Sequence, residues 1–103
     1  METDLRVVAY MRVKPGQEKT VREAILACVP LSRQEEGNLS YVAHVDSKDP
    51  TLFIVVEHWA NAATRERHLQ SEHFKLLGRT VDDEGRLNEH FFHVIKPIAT
   101  ENK

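Results

Sequence analysis

Apolar residues recur along this chain with two different periods. Residues 5–13 (LRVVAYMRV), 39–46 (LSYVAHVD), 51–59 (TLFIVVEHW) and 87–96 (LNEHFFHVIK) are dense in β-branched and aromatic residues and predict four strands. After the first, Val21, Ala24, Ile25, Cys28 and Leu31 recur at helical spacing and predict the buried stripe of a helix over 17–36. Pro30 should kink or divide that helix, and Gly37 is placed to cap its end. Ser47-Lys48-Asp49-Pro50 reads as the turn of a hairpin joining the second and third strands. Asn61 fits the N-cap of a short helix over 62–70. Ser71 fits that of another over 72–83, with Phe74, Leu77 and Val81 on one side and Asp83-Glu84-Gly85 as its stop. Pro97 ends the last strand, and the tail over 98–103 is expected to fray.

The order β-α-β-β-α-β is the ferredoxin-like α+β arrangement, a four-stranded antiparallel sheet with its helices on one face. The other face of such a sheet commonly meets water and is polar. Here VVAYM, FIVV and FFHVI put apolar groups on both faces. The helices can cover only one, and a second copy of the sheet is the economical cover for the other, so a homodimer is expected.

Size and charge narrow the function classes. With 103 residues the chain is expected to be one domain, its core spanning about 4–97. Net charge is -2 with the Lys and Arg residues scattered, which argues against a nucleic-acid partner. No apolar stretch approaches the roughly 20 residues of a membrane span. METDLRVV lacks the apolar core of a signal peptide, so a cytoplasmic protein is expected. The single cysteine, Cys28, cannot form an internal disulfide and falls among core positions.

Alternation along the third strand puts Phe53, Val55, Glu57 and Trp59 on one face and Leu52, Ile54, Val56 and His58 on the other. Glu57 and Trp59 thus form a pair that His58 does not share. His68 and His73 are five residues apart, about 140° around a continuous helix, which is poor for two ligands on one face, while a break at Ser71 leaves their geometry open. None of the six histidines makes an i, i+4 pair and no Cys-x-x-Cys is present, so no metal is expected. Neither a Gly-rich phosphate loop nor a triad spacing for covalent catalysis is found.

Several short segments, taken in order, resemble the antibiotic biosynthesis monooxygenase domain family. They are Lys14-Pro15-Gly16, Gln34-Glu35-Glu36-Gly37-Asn38 followed by Tyr41, Glu57-His58-Trp59, and the run from His68 to Phe74. The resemblance implies a dimeric α+β barrel with a cavity between sheet and helices. It implies a cofactor-independent monooxygenase that brings dioxygen to a small phenolic or quinol-like molecule, without metal, haem or flavin. In that reading His73 is the base, Glu57 orients it or relays its proton, and Trp59 joins them as a catalytic residue. His68, Tyr41 and Phe74 bind the substrate, with Trp59, Tyr41 and Phe74 stacking on or walling the ring. Ala9 and Gly78 stand where haem-degrading relatives carry Asn and His, which speaks against haem. The family also implies an alternative, an isomerase of a small phosphorylated dicarbonyl of the autoinducer-2 type, drawing charge from Arg6, Arg12, Arg65, Arg67 or Arg79. A non-catalytic dimeric ligand-binding domain is the third expectation.

Overall fold

A computed structural model describes residues 4–98. The elements run β1 (Leu5–Val13), α1 (Glu18–Arg33), β2 (Asn38–Val45), β3 (Leu52–Trp59), α2 (Ala62–Leu69), α3 (Glu72–Gly78), one π-helical turn (Arg79–Asp83) and β4 (Leu87–Ile95). The four strands form one antiparallel sheet in the order β2-β3-β1-β4, the ferredoxin-like arrangement expected from the sequence. Most of the expected fraying tail lies outside the described residues. Among the described residues, no helix is long and apolar enough to cross a membrane.

Period two decides what the sheet buries. On β3, Phe53, Val55, Glu57 and Trp59 are all buried under the helices, beside Val7, Met11 and Val13 of β1 and Tyr41 of β2. The opposite face carries Val42, Val56, Phe91 and Ile95, which stay 39%, 40%, 44% and 46% exposed, so this face is apolar and uncovered within one chain. Tyr10 and Phe91 stack there at 5.0 Å between centroids. His58 lies on this face too, half-buried and bonded to Asp4 at 2.6 Å, apart from Glu57 and Trp59.

Pro30 sits inside α1, which runs through undivided. The helical layer differs from expectation in two places. The buried stripe of α1 is Val21, Ile25, Cys28, Val29 and Ser32, while Leu31 is 47% exposed. At 3.6 residues per turn Leu31 falls well off the centre of that stripe, and Ser32 takes the core position by donating its hydroxyl proton to the Cys28 carbonyl at 2.8 Å. The helix expected over 72–83 ends as α3 at Gly78 and widens into the π-helical turn. Arg86 accounts for the widening. Its side chain donates to the Thr80 carbonyl at 2.8 Å and its backbone N–H to the Val81 carbonyl at 3.0 Å, so both acceptors find partners beyond the helix.

Gly37 joins α1 to β2 with φ +88°, and a Cβ there would fall 2.3 Å from the Thr64 side chain of α2. Thr64 is itself committed to the Asn61 capping box. Gly37→Ala therefore combines left-handed strain with a steric clash, and we expect urea unfolding to show a loss of about 2–4 kcal/mol. Gly78→Ala is the contrast. Gly78 is helical with nothing within 4 Å of a new Cβ, so a gain of roughly 0.5–1 kcal/mol is expected.

Candidate active site

The six residues singled out in the sequence form one connected cluster beneath the helices. His68 is its centre and is fully buried. Its ring lies 4.9 Å from Trp59, 4.9 Å from Phe74, 5.4 Å from Tyr41 and 5.9 Å from His73, centroid to centroid. The break that brings the two histidines together is built by Ser71. Its hydroxyl donates to the His68 carbonyl at 2.7 Å and accepts from the Phe74 amide at 3.2 Å, closing α2 and opening α3 with one side chain.

The carboxylate that meets these imidazoles is Glu35, not Glu57. Glu35 Oε2 lies 2.7 Å from His68 Nδ1 and 2.6 Å from His73 Nε2, so one oxygen accepts from both rings. Glu57 was expected to orient His73, but its hydrogen bond comes from the Trp59 indole N–H at 2.9 Å. The reason is geometric. Glu57 and Trp59 project from one strand face at i and i+2, whereas Glu35 lies just past the end of α1, where α2 and α3 meet it. The quoted segment Gln34–Asn38 contained this residue, but sequence spacing offered no sign of its partners. The ligand atoms of Glu35, His68 and His73 lie within 4.8 Å of one another, a set that could hold a divalent ion. The shared carboxylate oxygen also satisfies both ring nitrogens by itself.

A cavity of about 240 Å³ opens beside this cluster, between the sheet and the helices. Glu57, Tyr41 and Phe74 line it, together with Leu77 and Val81. Trp59, His68 and His73 stand behind its wall. One lining residue that the sequence could not place is Arg65 of α2, only 9% exposed and with its guanidinium 4.5 Å from the centre of the Phe92 ring. Burial pushes the Glu57 carboxyl above its ordinary range, and the Trp59 hydrogen bond, then the charges of His68 and Arg65, pull partly against it. Burial also pushes the Tyr41 hydroxyl upward, so this ring is a neutral wall at physiological pH. The Cys28 thiol is buried and raised for the same reason, which makes it a core residue and not a nucleophile.

A carboxylate at an apolar cavity, shifted toward its neutral form, is suited to exchanging a proton with a weak acid. The shift also fixes a sign for stability. Below the ordinary value of 4.5 Glu57 is protonated whether the chain is folded or unfolded. As pH rises past that value the unfolded chain releases the proton first, so the folded state loses stability until its own, higher value is passed. Urea unfolding across pH 4–8 should show wild type falling relative to Glu57→Gln above pH 4.5, by about 1.4 kcal/mol per pH unit within the window between the two values. Parallel curves for the two proteins would contradict the shift.

The profile of the family described as Antibiotic biosynthesis monooxygenase matches residues 4–77. The Escherichia coli (strain K12) protein named Probable quinol monooxygenase YgiN is 30% identical over 103 positions, covering 90% of this chain and 97% of that protein. The crystal structure of PA3566 from Pseudomonas aeruginosa superposes with a TM-score of 0.87 at 32% identity, covering 96% of this chain and 98% of that one. Rv0793 from Mycobacterium tuberculosis, at 18% identity, shares the fold with a TM-score of 0.86 over 96% of this chain and 99% of its own. On the extent of the family match and the identity to these relatives, the chain belongs to the antibiotic biosynthesis monooxygenase family.

Proposed function

We propose that the protein is a cytoplasmic, homodimeric monooxygenase that needs no cofactor and oxidises a small phenolic or quinol-like ring. The observation that carries this reading is the buried Glu57 carboxyl on the wall of an otherwise largely apolar cavity. The similarity to a relative named as a quinol monooxygenase supports the choice of ring. A phenol held there donates its proton to Glu57. The resulting anion is electron-rich enough to pass an electron to dioxygen, and the radical pair collapses into a new carbon–oxygen bond. For a quinol, one oxygen atom enters the ring as a hydroxyl, the other leaves as water, and the ring itself supplies all four electrons by ending as a hydroxyquinone. No external reductant is required. Tyr41 and Phe74 wall the ring. Trp59 fixes the Glu57 carboxyl through its indole N–H. His73 and His68, bonded to Glu35, brace the wall behind the ring. A phosphorylated substrate fits less well, because Arg65 is the one arginine in the cavity wall among the described residues and a phosphoryl dianion calls for more cationic charge.

The test is oxygen uptake with a panel of reduced quinols. Glu57→Gln should lower the turnover rate by about 10²–10⁴-fold with circular dichroism unchanged. His73→Ala, which removes a brace and not the base, should lower it less. Absence of uptake above background across the panel would sink the oxygenase, and saturable binding of those rings without uptake would leave a non-catalytic ligand-binding domain.

The dimer forms, on this reading, through the apolar outer face of the sheet that carries Val42, Val56 and Phe91. Sedimentation at micromolar concentration should give twice the 11.9 kDa chain mass, and Val56→Asp should return the mass of one chain. A wild-type monomer under those conditions refutes this interface.

A further inference from the structure

Arg65 is buried, and no described residue lies within ion-pair distance of it. Its Nε is enclosed and has no acceptor. Among the described residues no ion pair or side-chain hydrogen bond includes its guanidinium. Three arginines that are more exposed do have partners: Arg12 pairs with Asp49, Arg33 donates to the Tyr41 carbonyl, and Arg86 donates to Gln17 and to the Thr80 carbonyl. The Phe92 ring supports Arg65 from one side and attracts its charge but accepts no N–H. Glu57 shares the cavity and feels the charge of Arg65, yet its carboxyl accepts its hydrogen bond from the Trp59 indole N–H and not from Arg65. A largely buried guanidinium whose Nε has no acceptor is costly to the empty protein, and an arriving anion would remove that cost.

We propose that Arg65 anchors the ligand and that the substrate is an acidic aromatic, a hydroxylated ring bearing a carboxylate that docks on the Arg65 guanidinium. The carboxylate follows from shape. Arginine presents a planar fork of N–H groups, and a carboxylate meets that fork with two oxygens in the same plane. The ring then lies against Tyr41, Phe74 and Leu77, with its hydroxyl directed to Glu57. The fate of the ring rests on the monooxygenase reading given above. The anion site does not, because it stands on the unpartnered cation alone.

Benzoate and benzamide separate the two ideas, since they match in shape, differ in charge and are not oxidised. Calorimetric titration at pH 7 should show benzoate binding wild type at least about tenfold more tightly than benzamide, ~1.4 kcal/mol. Arg65→Leu should erase the preference and raise the melting temperature of the unliganded protein, a gain that a purely structural arginine would not give. Arg65→Lys, which keeps the charge and loses the fork, should retain part of the preference. Equal binding of the two probes, failure of benzoate to bind, or an Arg65→Leu protein that melts earlier or does not fold would overturn the proposal. Oxygen uptake with quinols accompanied by no benzoate preference removes the anion site alone. Benzoate preference without uptake for any quinol removes the oxygenase and leaves the anion site standing.

Discussion

A single carboxylate oxygen ties the helical layer together. Glu35 follows α1, and its Oε2 accepts from His68 on α2 and from His73 on α3. His68 is fully enclosed, so its Nδ1 proton needs an acceptor that water cannot provide. Meeting that need fixes the spacing of α1, α2 and α3. The close approach of Gly37 to Thr64 adds to the same junction, because only a residue without Cβ lets α2 sit this near the chain leaving α1. The aromatic rings of Trp59, Tyr41 and Phe74 then have a fixed centre to pack on, and the cavity takes its shape from them.

The polar groups in this core are treated unequally. Glu35 and Glu57 each have a donor in place, two imidazoles for the first and an indole for the second. Arg65 Nε has no acceptor and the guanidinium rests on the face of Phe92, and the enclosed Nε2 of His68 is likewise without a partner. A protein under selection for stability alone gains nothing from such an arginine, since leucine would fill the same space without a stranded charge. The hydrogen-bonded groups behind the wall preserve its shape, whereas Arg65, which lines the cavity, stands where the proposed ligand would complete it.

The fold was legible in the sequence because it depends on local periods. Four β-rich runs, two capped short helices and a hairpin turn fix the order of elements, and the alternation of FIVVEHW placed Glu57 and Trp59 on the buried face and His58 on the other. The grouping of the candidate residues was legible too, since the six residues chosen do cluster. Their wiring was not. Whether Glu35 or Glu57 meets His73 depends on how the end of α1 meets the α2–α3 junction, a relation between segments more than thirty residues apart that no spacing within one segment encodes. Arg65 was one of several arginines in the sequence, and only the folded arrangement, which brings its side chain over Phe92 of β4, gives it a cavity to face. Leu31 failed for a related reason, because an apolar residue at the margin of a helical stripe loses its core position when a small polar neighbour satisfies itself there.

Strand β4 links the cavity to the outer face of the sheet. It is an edge strand, and beyond Leu87 its residues are exposed on both faces within one chain. Phe92 turns toward the helices and carries the Arg65 guanidinium, while its neighbour Phe91 turns outward and stacks on Tyr10. Alternation allows no other outcome for adjacent residues on a strand. The platform under Arg65 therefore belongs to an element with little cover of its own. A second sheet seated on the outer face, as in the proposed dimer, would bury Phe91 and hold β4 from behind. That restraint would fix Phe92, and with it the fork of N–H groups offered to an anion. Assembly and ligand anchoring would then share one strand, and a change on its outer face would reach the cavity through a single peptide unit.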